Sequence, residues 1–384
     1  MEKAILLGSS APNTLGVIES LALMGVKSYV VLLGHTTNPF VLSSKHVLKY
    51  WICDNEKAVL QCLENNFNEE KLVVYTCNDR AACLIDANYE KLKNKFYLPH
   101  AEYDGNINAL VKKPEMIKLA NEVGLSVPTT CITGSCMGGG NVTFPCIVKL
   151  TASIYGGKDY TKICHNGQEL SLHLKTVCKG KEVLIQEFVQ KEFEFQFLGC
   201  SIDGGRNIVI PGRTHIDRPN GIENGFFLEF KPIESELLPV LEKAKEFIKQ
   251  TKYSGLFSVE FLKGKNGKTY FTEMNFRNDG NAFCVTAAGV NLPMIWYRYC
   301  TGENYKELYE NVNVRSVYLL PENKYWGCLL KGEITFGEWL RNLKKADCFY
   351  LNFKGDKKPM FAYWYYDTKT LIKIIIKKIL RRPL

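Results

Sequence analysis

A chain of 384 residues, 46% hydrophobic and 23% charged, is long enough for two or three domains with a sizeable core, and that composition argues against disorder. The formal charge of +9, spread along the chain apart from one C-terminal cluster, favours nucleotides, phosphorylated substrates or anionic lipid; no recognisable nucleic-acid module accompanies it. Fourteen scattered cysteines without a C-x-x-C pair or a zinc-type Cys/His spacing, no signal peptide and no apolar run of the ~18 to 20 residues a membrane span needs together indicate a cytoplasmic protein.

Lys3 to Leu7 is a short apolar run ending in Gly8-Ser9-Ser10. Asn13-Thr14 is expected to cap a helix that runs to Gly25, and Ser28 to Leu33 returns as a strand. This βαβ opening lacks the G-x-G-x-x-G pattern, so its turn reads as a strand-to-helix connection rather than a dinucleotide site. A helix over Lys57–Asn66, a strand over Leu72–Thr76 and a helix over Arg80–Leu92 continue the alternation. The loop from Thr76 to Arg80 falls at a strand's C-terminal end, where open α/β sheets place ligands; Asn78 or Asp79 acting as a helix cap explains it equally well. Cys53, Cys77, Cys146 and Cys284 lie in apolar runs and read as core.

From Lys112 a new pattern begins. Pro114 opens a helix whose stripe of Met116, Leu119, Ala120 and Val123 stops at Gly124. FPCIVKL (Phe144 to Leu150) reads as a strand that carries Lys149 among apolar neighbours, so that lysine needs an anionic partner, a shifted pKa or a stem that reaches out to water. The loop that follows, with Gly156, Gly157 and Lys158, has the backbone freedom to fold over phosphates. VLIQEFV (Val183 to Val189) is another strand, and Glu192 to Phe197 alternates acid or amide with aromatic. That places Glu192, Glu194 and Gln196 on one face, either solvated or facing a ribose or substrate. Arg213 and Arg218 are expected in a loop before a helix over Leu237–Lys249, as phosphate or carboxylate binders or as surface charges, with His215 a weak general-base candidate.

Gly255 to Asn281 reads as a hairpin turning at Gly264 to Lys268, which sets Glu260 opposite Glu273 with Asn275 and Arg277 on the same face. Paired carboxylates destabilise a sheet unless a cation lies between them, and hard oxygen ligands of this kind suit Mg²⁺. A solvated surface hairpin would account for the charges but not for Asn275 and Arg277 in register with them.

In this order the segments resemble the ATP-grasp superfamily of ATP-dependent carboxylate–amine ligases, from about Lys3 to about Cys300. The matches are the Lys113 to Pro128 helix with its Gly-x-x-x-Pro ending, FPCIVKL with its glycine loop, IQEFV, and VEF followed by TEMNFR. The opening and TEMNFR look most like D-aspartate-ligase-type and capsule- or cell-wall-associated members. The resemblance implies an α/β fold with α+β lobes: an N-terminal Rossmann-like pre-ATP-grasp domain over 1–105, a two-lobed ATP-grasp domain over 106–304 hinged near 186–190, and a C-terminal region over 305–384. It also implies roles. ATP would be held by Lys113, Lys149, the Gly156-Gly157 lid and the hinge residues Gln186, Glu187, Phe188 and Val189, with Glu192 or Glu194 on the ribose. Two Mg²⁺ ions, or Mn²⁺, would be held by Glu260, Glu273 and Asn275, and Arg277, Lys158 and Arg213 would serve catalysis. Gln186 stands where many relatives carry a glutamate, and the chain after Tyr305 follows no family pattern.

The activity so implied is ligation of a carboxylate to an amine through an acyl phosphate, on an amino acid, peptide or sugar acid of envelope or polysaccharide biosynthesis. A carboxylase or carbamoyl-phosphate-type enzyme and a non-catalytic nucleotide-binding protein are the alternatives, and a homodimer is compatible with either. Thr368 to Leu384 reads as a basic amphipathic helix, either lying on the inner face of an anionic membrane or docking on the aromatic stretch Tyr363 to Tyr366 before it.

Overall fold

The computed structural model describes residues 2–68, 70–132, 142–151, 160–216 and 227–380. The chain opens with β1 (Lys3–Gly8), α1 (Pro12–Ala22), β2 (Lys27–Leu33), β3 (Val47–Cys53), α2 (Glu56–Asn66), β4 (Leu72–Thr76), α3 (Asp79–Asp86), α4 (Tyr89–Leu92) and β5 (Phe96–Tyr97). The five strands form one parallel sheet in the order β3-β2-β1-β4-β5. β1 and β4 are buried along nearly their whole length, as continuous apolar runs must be when helices cover both faces of a sheet. Strand order reverses between β1 and β4, so the crevice at their C-terminal ends is the position where such sheets bind ligands.

Local chemistry departs from expectation at three points here. Pro12 opens α1, and Thr14 donates to the Ser9 carbonyl at 2.7 Å instead of capping; Asn13 reaches across to the Asn278 carbonyl at 3.3 Å. Gly8 is required by close approach, because a Cβ there would lie 2.7 Å from the Cβ of Cys77. The helix expected over Arg80–Leu92 is split at Ala87-Asn88 into α3 and α4.

Next come β6 (His100–Ala101), α5 (Asn106–Leu110), α6 (Lys113–Glu122), β7 (Thr130–Ile132), β8 (Cys146–Leu150), β9 (Lys162–Cys164), α7 (Gly167–Thr176) and β10 (Val183–Glu187). A small antiparallel sheet runs β7-β10-β8-β9. Cys146, Val148, Val183 and Ile185 pack its core with Leu170 of α7, and alternation therefore sends Lys149 and Gln186 to the opposite face.

The remaining elements are β11 (Lys191–Ile202), β12 (Asn207–Val209), β13 (Arg213–Ile216), β14 (Leu228–Lys231), α8 (Leu238–Thr251), β15 (Tyr253–Gly264), β16 (Thr269–Asn275), α9 (Phe283–Ala287), α10 (Leu292–Thr301), β17 (Val317–Leu320), α11 (Glu322–Leu330), α12 (Phe336–Lys345), β18 (Cys348–Phe349) and α13 (Lys358–Leu380). A nine-stranded sheet runs β16-β15-β11-β13-β14-β17-β18, with β12 and β6 paired to β11 and β15. One face carries Phe195, Phe197, Phe257, Val259, Phe261 and Phe271 into a core under α6 and α8. Strands β17 and β18 belong to this sheet, so its hydrogen bonding runs across the division expected at 304/305. Cys53, Cys77, Cys146 and Cys284 are free and buried, as apolar runs require.

α13 starts ten residues earlier than the helix expected over 368–384 and contains Tyr363 to Tyr366 rather than packing on them. Its first turns dock on the N-terminal sheet region: the rings of Phe40 and Tyr363 meet edge to face at 5.3 Å, and Asn38 donates to the Tyr363 carbonyl at 3.2 Å. Among the described residues, no helix is long and apolar enough to cross a membrane.

A polar cluster pins the start of α13. Asp356 accepts from Ser44 Oγ at 2.7 Å and from the Lys45 amide at 2.9 Å, Ser44 also reaches Glu19 at 3.3 Å, and Lys27 Nζ lies 3.2 Å from His46 Nδ1. Glu19, His46 and Asp356 are close enough to share a cation, yet donors already occupy Asp356 and Lys27 occupies His46, so the cluster closes on itself. Burial, and then Asp356, push the Glu19 carboxyl up to about 8. The folded state therefore holds a proton that the unfolded state releases above its ordinary value near 4.5. The associated stability is complete below that value and is lost as pH rises through about 8. Glu19→Gln is expected to flatten this loss, worth on the order of a few kcal/mol, in thermal melts recorded between pH 5 and 9. Parallel pH profiles for variant and parent would contradict it.

Candidate active site

The core-facing alternation of β11, β15 and β16 leaves their other face to polar side chains, and the register assembles these. Glu260 stands opposite both Glu273 and Gln196, and Ser258 opposite Asn275. Gln196 Nε2 donates to Glu260 Oε1 at 3.1 Å, and the Asn275 amide donates to the same oxygen and to Ser258 Oγ, each at 3.2 Å. Lys113, at the first position of α6, places Nζ 3.1 Å from Glu273 Oε2, while its backbone amide donates to the Thr151 carbonyl at 2.8 Å. One residue thus contacts the end of the small sheet and the acid pair on the large one.

Two carboxylates in register do not ionise alike. Burial and the neighbouring Glu273 and Asp279 push Glu260 up to about 8. Burial also acts on Glu273, but the Lys113 and Lys149 ammonium groups outweigh it and hold that carboxyl below its ordinary range. Across the cleft, Lys149 Nζ donates to Gln186 Oε1 at 3.2 Å, and Gln186 Nε2 donates to Thr130 Oγ1 at 2.8 Å. Burial, with the adjacent Lys113, brings the Lys149 ammonium down to about 8, against the pull of Glu273, Glu194 and Glu260. Two lysines thus face three acids across a cleft between two sheets.

Glu192 and Glu194 are separated by the structure. A register shift between Lys191 and Phe193 leaves Glu192 unpaired and exposed, whereas Glu194 stays in register, half-buried, 3.0 Å from Lys191 and near Lys149. At the hinge, the amides of Glu187 and Phe188 already donate to the Thr129 and Pro145 carbonyls, at 2.8 and 3.1 Å, so neither N–H is free for a base. Val189 packs beside Gly264 of β15, where the chain crosses from one sheet to the other. Gly156, Gly157, Lys158 and Arg218 lie outside the described residues.

Two arginines differ from expectation. Arg213 is on β13, not in a loop, and it pairs with Phe197, which puts it on the face opposite Gln196 and Glu260. Its Nε and Nη2 grip Glu234 at 2.7 and 2.5 Å, and Nη1 meets His215 Nδ1 at 3.2 Å, so it braces the sheet instead of reaching the acid pair. His215 itself lies against the Phe193 ring. Arg277 follows the end of β16 and turns to Asp79 at 3.0 Å and Asp279 at 3.1 Å, joining the hairpin to the crevice of the parallel sheet. Burial opposes its charge, but Asp79, Asp279 and Glu260 more than offset this and raise its pKa. In the same loop Asn78 caps α3 by accepting from the Ala81 amide at 2.8 Å, so a capping residue and a cleft-facing acid stand side by side.

Several polar residues join the site that no sequence pattern singles out. Asn281 donates to Gln196 Oε1 at 2.9 Å and accepts from Tyr350 OH at 2.6 Å, while Asn278 donates to the Asn13 carbonyl at 2.8 Å. Their only signal is the polar run Arg277 to Asn281 directly after the strand.

No protein-family model and no curated protein matches the sequence. Solved structures do. The chain is similar to the L-amino acid ligase from Bacillus licheniformis, at 15% identity over 83% of this chain and 79% of that one, with a TM-score of 0.65. It is similar to N5-carboxyaminoimidazole synthetase from Staphylococcus aureus complexed with ADP, at 17% identity over 88% and 87% of the two chains, TM-score 0.64. A biotin carboxylase from Campylobacter jejuni, in a β-γ-ATP complex, gives 16% identity over 83% and 75%, TM-score 0.64. At such identities the likeness is one of fold. A parallel Rossmann-like sheet followed by two antiparallel sheets that enclose a lysine- and acid-lined cleft is the ATP-grasp fold, and the chain adopts it.

Proposed function

We propose that this chain is an ATP-dependent carboxylate–amine ligase of the D-aspartate-ligase-like, envelope-associated kind, acting in the cytoplasm on an amino acid, peptide or sugar acid. The observation that carries the reading is the Glu260–Glu273 pair, in register with Asn275 and faced across the cleft by Lys113 and Lys149. Glu260, Glu273 and Asn275 would hold Mg²⁺ or Mn²⁺: the donor set is hard oxygen, and Glu260 receives neutral amide donors where a cation would relieve its repulsion from Glu273. When bound, the metal neutralises phosphate charge.

The substrate carboxylate attacks the γ-phosphorus of ATP, the bond to the β-phosphate oxygen breaks, and ADP leaves. An amine then attacks the acyl carbon, inorganic phosphate departs, and the amine nitrogen loses a proton to water. In this reading Lys149 and Lys113 bind the phosphates, Gln186 and the hinge residues Glu187, Phe188 and Val189 border the adenine, and Glu194 rather than Glu192 faces the ribose. Lys158 and the Gly156-Gly157 loop would cover the phosphates. Transferring a carboxylate oxygen to phosphate is the distinguishing step, so an ¹⁸O-labelled carboxylate substrate should yield ¹⁸O in inorganic phosphate. ADP release screened against amino acids and carboxylates finds that substrate. Two solved structures of similar fold, a biotin carboxylase and a carboxyaminoimidazole synthetase, favour a carboxylase as second reading. ADP release that depends on bicarbonate and no amine would establish it instead.

Lys149 gives a test independent of the acceptor. Its pKa of about 8 in the free protein should rise once phosphates replace the Gln186 carbonyl as its partner. ATP binding near pH 9 should then take up close to one proton, read as calorimetric heats that vary with buffer ionisation enthalpy. The uptake should vanish in Lys149→Met. Equal uptake by the variant would remove Lys149 from the phosphate site.

A further inference from the structure

The net charge is not spread along the chain but gathered at its end: from Pro321 to Leu384 there are fourteen lysines and arginines against six acids, a balance of +8 out of +9, of which +2 falls between Glu322 and Lys345 and the rest after them. The same segment exposes large apolar side chains side by side. α12 carries Phe336, Trp339, Leu340 and Leu343 at helical spacing: Trp339 and Leu343 lean on the small core of Leu320, Tyr325, Cys328 and Ile334, and Phe336 and Leu340 stay exposed beside Trp326 and Leu330 of α11. Trp339 packs against Trp326 of α11 at 5.6 Å and against Phe336 at 5.8 Å. Leu330 lies one turn beyond Trp326 on the same helix face. The Trp326 and Trp339 rings border an open cavity of about 460 Å³ that Met360 and Trp364 of α13 also line. Leu330 is 71% exposed, Phe336 62%, Phe361 65% and Tyr365 61%, values that a covered core face does not show. Glu322, the acid lining this cavity, spends both oxygens on the backbone amides of Tyr350, Leu351 and Asn352, so it offers no charge to a polar ligand.

We propose that α11, α12 and the start of α13 form a docking surface for an anionic membrane. Aromatic and aliphatic tips enter the headgroup boundary, and the surrounding cations meet lipid phosphates; they include Lys331 and Arg341, 74% and 69% exposed, each held only loosely at 4.0 Å from an acid, Glu333 and Glu338. The surface differs from a tail acting alone in that the apolar contact comes from the α11–α12 pair and the charge from both. It stands whether or not the cleft performs the ligation proposed above.

Flotation of the full chain with vesicles of phosphatidylcholine and phosphatidylglycerol tests it. Binding should fall at least about tenfold when the anionic lipid is omitted or salt is raised. Leu330→Ser/Phe336→Ser, both at exposed positions, should lose a similar factor while its far-UV circular dichroism and melting temperature stay those of the parent. Lys331→Gln/Arg341→Gln should bind more weakly with a shallower salt dependence. Brominated acyl chains should quench tryptophan emission less in Trp326→Phe/Trp339→Phe than in the parent. The proposal is overturned if the parent ignores anionic vesicles or if the Leu330/Phe336 variant floats like the parent. It is equally overturned if that variant changes only the protein's oligomeric state, which would make the surface a contact between copies of this chain.

Discussion

Glu273→Gln is expected to leave the fold intact and reduce ADP formation by a factor of about 10² to 10³, the usual cost of removing one electrostatic contact to a transferring group. Glu273 sits in register with Glu260 and neutralises Lys113 at 3.1 Å, so an isosteric amide removes one negative charge without opening a cavity. Two consequences separate this loss from simple damage. The repulsion that helps hold Glu260 up near 8 is relieved, so Glu260 should ionise at lower pH. Thermal stability should fall at neutral pH, where the Lys113 and Lys149 ammonium groups favour the Glu273 carboxylate, and should approach that of the parent at acid pH, where the parent's own carboxyl is protonated. Binding of a fluorescent ATP analogue, titrated with Mg²⁺, checks the metal dependence without knowledge of the acceptor. An unchanged rate with the true substrates, or unchanged Mg²⁺ dependence of nucleotide binding, would sink the assignment.

Why this pair was legible in sequence, and its neighbours were not, is a matter of how far apart the partners lie. Glu260, Glu273 and Asn275 are joined by one hairpin, whose alternation and turn fix their register locally. Lys149 is legible for a related reason, since a lysine among the apolar neighbours of FPCIVKL needs a partner or a route to water. The Rossmann-like opening followed from the period of apolar runs. By contrast, Gly212 and Pro219 flank Arg213 with turn signals that suggest a loop, and tertiary pairing with β11 and β14 overrides them. The register shift that turns Glu192 outward is a bulge against a strand about 70 residues later, which no local pattern encodes. The start of α13 was missed because aromatic residues from Phe361 to Tyr366 carry no strong helical period; contacts with Asn38 and Phe40, more than 300 residues away, organise them.

Arg277 is where the sequence and the structure give opposite expectations for one experiment. TEMNFR alone implies a side chain aimed at phosphates, so that Arg277→Ala would keep the fold and lose turnover. The structure instead holds the guanidinium between Asp79 of the parallel sheet's crevice and Asp279 after the hairpin, with Ser258 Oγ reaching Asp279 at 3.3 Å. Asp279 is buried, and removing its cation leaves a carboxylate whose desolvation only the Ser258 hydroxyl and the Asn281 amide offset; breaking such a pair costs about 3–5 kcal/mol, less for the Asp79 side, which is a third exposed. Arg277→Ala should therefore lower the denaturant midpoint strongly, and Arg277→Ala/Asp279→Asn should recover part of the loss, because the buried uncompensated carboxylate is gone and only the partly exposed Asp79 has lost its partner. Denaturant melts of the single, Asp279→Asn and double variants form a cycle whose coupling energy measures the pair. A coupling near zero with turnover abolished would restore the phosphate role. A large coupling makes Arg277 the tie between the N-terminal crevice and the β15–β16 hairpin, so that its effect on turnover would pass through the positions of Glu260 and Glu273.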